Sequence, residues 1–358
     1  MRVVFDVSPL SHERTGVNNY IRGSLGGLVE IGRERGHEIV AFAPTSPAGR
    51  RVIGEELAGL DIEVRLLPLP GAHGWRTMWS LVGSPAAERW LGPFDALHFT
   101  DWMFPPQRRG VRATTIHDLV PLHHPEWTTH RTQAMHGRKY RNAARTCDVV
   151  FANSEFTADD FARTLRFPRE RVVVAYPGIG PQFTAEGDAA ELEAPYVLAV
   201  ATLEPRKNLG TLVDALAALA RDDLVLAVVG GRGWGKQPEL DRPGVVRLGR
   251  VQDDELARLY RGAAVVVYPS RFEGFGMPIT EAMACGAPVV ASSHPSLDEA
   301  SGDAALRADP ERPEAIAEAI EAALANGTEL RERGLAHVKR FSWRRVGELF
   351  VEGYERFA

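Results

Sequence analysis

The chain has 358 residues, 44% apolar and 25% charged, with 42 Lys plus Arg against 47 Asp plus Glu and a net charge of −5. This composition excludes whole-chain disorder, and the weakly acidic balance gives no global attraction to nucleic acid, so any basic site must be local. The two cysteines, Cys147 and Cys285, are far apart without metal-ligand spacing, which argues against a disulfide framework or zinc ribbon and for a reducing, cytoplasmic setting. The length favours two domains. No stretch approaches the roughly 18 apolar residues of a spanning helix, and Val3-Val4-Phe5 follows the N-terminus without a basic n-region, so neither a membrane span nor an export signal is expected.

A short β-branched run, a loop and a helical pattern recur along the chain, as a parallel sheet with crossover helices requires, so the fold class is α/β. In the first half, strands are predicted at 3–7, 37–43, 96–99, 113–116, 149–152 and 172–176. The clearest helix runs over 18–35, with Ile21, Leu25, Leu28 and Ile31 on one face and Gly36 as its stop. The acidic, small-residue segment 181–194 reads as a linker. A second strand series follows at 196–201, 224–229, 245–248, 264–268, 288–291 and 304–306. Helices follow at 313–325 and 330–339, and a last one at 342–357 has Ser342 as N-cap and Val346, Phe350 and Tyr354 on one face. Two doubly wound parallel-sheet domains are therefore expected, at 1–182 and 190–340. In such open sheets ligands bind in the crevice at the carboxyl ends of the strands, so chemistry is sought in the loops after strands.

The most informative such loop is in segment 268–286, YPSRFEGFGMPITEAMACG, between an apolar strand and a short helix. Gly274 and Gly276 ahead of the helix let backbone N–H groups approach an anion, which the helix N-terminus also favours. Glu273 in the loop and Glu281 in the helix then read as acceptors for the hydroxyls of a sugar nucleotide, with its diphosphate between them; the alternative is a solvated helix residue at Glu281 and a tight turn at the glycines.

This segment resembles the E-x7-E motif of the retaining family-four glycosyltransferases of GT-B fold. The resemblance continues through 249–268 (GRVQDDELARLYRGAAVVVY), 196–209 (YVLAVATLEPRKNL), 14–20 (RTGVNNY), 116–127 (IHDLVPLHHPEW) and 153–156 (NSEF), nearly the whole chain, and fits the mannosyltransferase-like branch. It implies two Rossmann-like domains facing across a cleft, with the C-terminal segment 341–358 packed back on the first. It also implies residue roles: Glu281 on the ribose, Glu273 and the amides from Gly274 through Phe275 and Gly276 to Met277 on the transferred hexose, and Lys207 on the diphosphate. Members commonly carry an arginine just after the strand; this chain has Thr202 there and offers Arg206, which either supplies the charge or points to solvent. Gly16, ahead of the first long helix, is a second place for close phosphate approach or simply a turn. His117 is either a structural hydrogen-bonding residue or, as the resemblance implies, lines the donor-sugar pocket as a site residue, with Asp118 as its orienting neighbour or an acceptor-side contact.

The resemblance further implies transfer with retention and no metal, and the chain contains no Asp-x-Asp triplet. No cofactor is expected beyond the nucleotide-sugar donor, with GDP-mannose favoured over a UDP-sugar; the partner is a glycan, lipid-linked or small-molecule hydroxyl acceptor. A non-catalytic sugar-nucleotide-binding subunit of the same fold is the alternative from another class. The acid-free run 131–145 carries Arg131, Arg138, Lys139, Arg141 and Arg145, a solvated face or a contact for anionic lipid at the inner face of the cell membrane. Trp75, Trp79, Trp90 and Trp102 read chiefly as core.

Overall fold

The computed structural model describes residues 1–12, 14–100, 102–233 and 235–358. Among the described residues thirteen strands form two sheets: β1 (Arg2–Asp6), β2 (Glu38–Thr45), β3 (Glu63–Pro68), β4 (Ala96–Phe99), β5 (Val111–Ile116), β6 (Val149–Ala152) and β7 (Val172–Val174), then β8 (Tyr196–Val200), β9 (Val225–Val229), β10 (Val245–Gly249), β11 (Val265–Tyr268), β12 (Val289–Ser292) and β13 (Ala305–Ala308). The longer helices are α1 (Gly16–Glu34), α2 (Pro47–Glu56), α3 (Ala72–Val82), α4 (His130–Thr146), α5 (Glu155–Leu165), α6 (Leu209–Leu219), α7 (Asp253–Gly262), α8 (Met277–Ala284), α9 (Pro313–Ala325), α10 (Gly327–His337) and α11 (Trp343–Phe357).

The first sheet has the order β3-β2-β1-β4-β5-β6-β7 and the second β10-β9-β8-β11-β12-β13, every pairing parallel. Both are Rossmann-like, and in both the chain returns to the opposite side of its first strand after two crossovers. The central strands are buried along their length, which is why they read as continuous Val, Ile, Leu and Ala runs rather than as alternation. β3 is absent from the sequence-based strands. It is an edge strand with Glu63 and Arg65 among half-exposed residues, and edges favour charge over the apolar run that marks a buried strand.

The chain divides into two compact units. The first comprises Met1–Leu122, His130–Gly178 and Phe341–Ala358; the second comprises His123–Thr129 and Ile179–Arg340. In the first, α11 lies on α1 and places Val346, Phe350, Val351 and Tyr354 in the core with Phe5, Leu25, Leu28 and Phe151. Each such side chain contributes about 1.5–3 kcal/mol through burial. The helices meet at glycines: a Cβ on Gly27 would lie 1.8 Å from the Trp343 carbonyl oxygen, and one on Gly347 would lie 2.1 Å from the Gly27 carbonyl oxygen. Tyr354 Oη and His98 Nδ1 are 2.6 Å apart and His98 Nε2 and Thr115 Oγ1 2.9 Å, so the ring spans from α11 to the sheet. The core of the second unit joins β8, β9 and β11 to α6 and α9 through Val197, Leu226, Val267, Leu212 and Ile320.

Segment 131–145 forms α4, but its basic residues do not share one face. Arg131, Arg138, Arg141 and Arg145 are exposed, whereas Lys139 is 2% exposed and donates to the Thr115 carbonyl at 2.6 Å. Trp75, Trp79 and Trp90 pack on one another with ring centroids 4.9–5.5 Å apart, the buried Trp102 lies under the Arg76 guanidinium, and both cysteines are buried and free.

Candidate functional site

In the second sheet the strand order reverses between β8 and β11, the place where an open α/β sheet leaves a crevice at its carboxyl edge. The loops leaving these two strands carry most of the charged residues singled out from the sequence. A short turn at Pro205–Lys207 follows β8, and Asn208 closes it at φ 59°, with its side-chain amide donating to the Pro269 and Pro310 carbonyls. The Arg271 amide donates to the Arg206 carbonyl at 2.9 Å. The two loops are thus joined before any side-chain charge is counted.

Between them lies an almost buried charged cluster. Lys207 Nζ donates to Glu273 Oε1 at 2.6 Å and to Tyr268 Oη at 2.8 Å, and sits over the Tyr268 ring. Arg206 is turned inward, which decides between the two orientations open in the sequence. Its Nη1 donates to Glu273 Oε2 at 2.6 Å and to the Phe272 carbonyl at 2.8 Å, and its Nη2 to Glu204 Oε1 at 2.8 Å. Ser270 Oγ and Tyr268 Oη also donate to Glu273 Oε1, at 2.5 and 3.1 Å.

Burial by itself would raise the Glu273 pKa, but the charges of Arg206 and Lys207 and the hydrogen bonds from Lys207 and Ser270 outweigh it and pull the carboxyl down to about 2. Burial and the neighbouring Arg206 lower the Lys207 ammonium, against the opposing pull of Glu273 and Glu204. Tyr268 is pushed well up by burial and by Glu273, so its hydroxyl keeps its proton and donates.

The Glu273 loop is held from behind. Its amide donates to Ser296 Oγ at 3.0 Å, and the preceding Phe272 packs against His294 and against His124 of the 123–129 segment. Gly276 precedes α8 at φ 99°, where a side chain is strained whatever space surrounds it. Gly274 and Phe275 are buried, Met277 opens α8, and Glu281, 7% exposed, faces the interior with Tyr260 Oη donating to its Oε2 at 3.3 Å.

The remaining candidates belong to the first unit. His117 follows β5, its ring edge-on to Tyr20 of α1 at 5.0 Å, and its buried Nε2 has no hydrogen-bond partner among the described residues. Burial first, then the charges of Lys139 and His136, lower its pKa to about 3, leaving a neutral imidazole with one unused nitrogen. Asp118 accepts from the Val120 amide at 3.0 Å. Gly16 opens α1, and a Cβ there would meet nothing within 4 Å, so no close packing demands glycine. Thr202 follows β8 without a charge, as read from the sequence.

Sequence reasoning missed Glu204, Tyr268, Ser270, Ser296 and Tyr260. Glu204, Tyr260, Tyr268 and Ser270 lie inside the motif segments quoted from the sequence, but nothing local marks them as partners of Arg206, Glu273 or Glu281. The signal the sequence offers is Glu204 itself, an acid two residues before Arg206.

Residues 15–183 match the family described as Glycosyltransferase Family 4, and residues 194–326 match Glycosyl transferases group 1. O-antigen chain mannosyltransferase B of Escherichia coli is 32% identical over 273 residues, covering 70% of this chain and 71% of that protein. The serotype-specific mannosyltransferase WbdA of Escherichia coli is 29% identical over 67% of this chain, which spans only 33% of that longer protein. Among solved structures, a glycosyltransferase from Rickettsia africae ESF-5 superposes with a TM-score of 0.71 over 99% of this chain and 98% of its own, at 16% identity, a likeness of fold. Two sheets with the same reversal of strand order, matches in both halves and a relative aligned over most of its length lead to one assignment: the chain is a glycosyltransferase of family 4, built on the GT-B fold.

Proposed function

We propose that the protein is a retaining hexosyltransferase that moves mannose from GDP-mannose to a hydroxyl of a growing glycan or lipid-linked acceptor. The observation that carries this reading is the pairing of Lys207 and Arg206 with Glu273 at the β8/β11 reversal, two cations and an acid where a diphosphate and its sugar would be met. The names of the two Escherichia coli relatives support mannose and a polysaccharide acceptor.

In this reading Lys207 and Arg206 take the diphosphate, assisted by the amides from Gly274 through Phe275 and Gly276 to Met277. Glu281 takes the ribose, and Glu273 the hexose hydroxyls. His117 meets the transferred hexose as a neutral hydrogen-bonding group, Asp118 serves the acceptor, and the amide of Gly16 is a further phosphate contact. The bond from the anomeric carbon to the phosphate oxygen breaks while the acceptor oxygen attacks from the same face, and the acceptor proton passes to the departing phosphate. Positive charge at the leaving oxygen acts in the transition state, where it accelerates the step. No metal and no cofactor take part.

Thermal stabilisation by GDP-, UDP-, ADP- and dTDP-sugars in EDTA tests the reading. One nucleotide class should raise Tm and be hydrolysed slowly, and Glu281→Ala should abolish both responses. A UDP response in place of GDP would move the donor to a glucosyl or N-acetylglucosaminyl nucleotide. No response from folded protein would leave a binding or partner role.

The acceptor reading includes docking at the inner face of the cell membrane. Arg131, Arg138, Arg141 and Arg145 form an exposed stripe on α4, and none of them makes a side-chain ion pair or hydrogen bond among the described residues. The C-terminal ends of α3 and α4 share a pocket of about 380 Å³ lined by Ser80, Gly83, Arg108, Arg109, Asn142 and Thr146, and beside it Met78, Leu81 and Val82 are 58%, 51% and 62% exposed. Cationic side chains next to exposed apolar ones suit an anionic bilayer, at roughly 1 kcal/mol per arginine near the surface. No helix among the described residues is long and apolar enough to cross a membrane. Vesicles containing phosphatidylglycerol should therefore bind the protein and phosphatidylcholine vesicles should not. The triple change R138E, R141E and R145E should weaken binding at least about tenfold; unchanged binding would sink the docking reading.

A further inference from the structure

The four charges around the β8/β11 reversal, Glu204, Arg206, Lys207 and Glu273, sum to zero, and both cations already have carboxylate partners. Glu273 is fully engaged: Oε1 accepts from Lys207, Tyr268 and Ser270, and Oε2 from Arg206. An arriving diphosphate must compete with Glu273 for both cations. Lys207, released from Glu273, still has the Tyr268 hydroxyl. Arg206, released from Glu273, still has the Phe272 carbonyl and Glu204.

Glu204 differs from Glu273 in two respects. Its carboxylate bonds Arg206 but not Lys207, and only Oε1 is used: Oε2 is buried, with no partner among the described residues. The residue is 2% exposed. A buried carboxylate oxygen without a donor is costly, so such an oxygen calls for a donor in another state of the site. Arg206 is the cation at hand, and a guanidinium can offer two parallel N–H groups to the two oxygens of one carboxylate.

We propose that Glu204 is a positioning residue. It holds the Arg206 guanidinium from behind when the diphosphate of the donor displaces Glu273, its idle Oε2 taking a second N–H from Arg206. This rests on the donor-site reading above and adds the residue that makes Arg206 an aimed ligand rather than a mobile charge. Its effect is geometric. As a charge, Glu204 opposes a diphosphate; as an anchor, it helps bind one.

The opposition of signs makes the test sharp. Nucleoside diphosphate binding is measured by calorimetry with whichever of GDP and UDP the wild type binds, and the matching monophosphate serves as control. E204D keeps the charge but draws the carboxylate back by one methylene, and should weaken diphosphate binding about tenfold while monophosphate binding stays within about twofold. E204Q keeps the reach and loses the charge, and should bind the diphosphate within about threefold of wild type. In an R206A background, E204D should add no further loss, because the anchor then has nothing to hold. A general structural role would weaken the monophosphate as well, and would persist without Arg206.

Equal diphosphate affinity for wild type and E204D, equal losses in E204D and E204Q, or the same loss in the R206A background would each overturn the inference. Wild-type protein that binds neither diphosphate would instead defeat the donor-site reading, and this inference with it.

Discussion

Lys207→Ala is expected to lower kcat/KM for hexose transfer by about 10²- to 10³-fold, the loss found when a preorganised charge-stabilising donor is removed from an active site. Once the diphosphate has displaced Glu273 Oε1 from the ammonium, the Tyr268 hydroxyl still holds it in place while charge develops on the leaving oxygen. The fold should survive, because Glu273 keeps Arg206, Ser270 and Tyr268 as partners, so the acid is not left buried without a donor. Lys207→Arg should recover only part of the rate: a larger planar guanidinium presents its donors in a fixed fork and does not reproduce the compact ammonium that bonds both Glu273 Oε1 and Tyr268 Oη. Steady-state kinetics beside thermal melting separates the outcomes. An alanine variant within tenfold of wild type would remove Lys207, and the cluster around it, from the chemistry.

The second large effect concerns stability. Gly27→Ala should destabilise the first unit by about 3 kcal/mol or more, at the upper end of overpacking costs. Its Cβ would stand 1.8 Å from the carbonyl oxygen of Trp343, a backbone atom that no rotamer change can move aside. Helices α1 and α11 would have to separate, loosening the packing of Leu28, Val346 and Phe350. Gly26 is the internal control. It is the neighbouring residue of the same helix, and a Cβ there meets nothing within 4 Å. Gly26→Ala should be neutral or stabilising by up to about 1 kcal/mol, through helix propensity alone. The urea midpoint should fall for Gly27→Ala and stay level or rise for Gly26→Ala. Equal midpoints would mean that α11 does not seat on α1 at these glycines.

The contrast between Gly26 and Gly27 also marks a boundary in what is legible without coordinates. Two consecutive glycines in a helical pattern read alike; only the partner backbone distinguishes them. The same holds within α4, where the run of basic residues was plain in the sequence but the inward turn of Lys139 onto the Thr115 carbonyl was not. β3 escaped because its cues, Glu63 and Arg65 on a sheet edge, are those of a loop.

At the candidate site, Glu273 and Glu281 were recognisable because a loop between an apolar strand and a helix carries its own local signature, whereas Lys207 was singled out through the resemblance to the family. Arg206 had two orientations open, and Glu204 had none assigned. Their positions follow from the order of strands: β8 and β11 are neighbours although two strands, β9 and β10, lie between them in the chain, and this adjacency brings Arg206 and Glu273 to 2.6 Å. The sequence by itself determined the α/β class and the two strand series, since periodicity and turn residues are local quantities. The tertiary structure alone decided which charges neutralise one another, which lysine is buried and which glycine is irreplaceable. Each of these depends on an atom contributed from a distant part of the chain, and burial strengthens a charge pair or a steric clash only once that atom is in place.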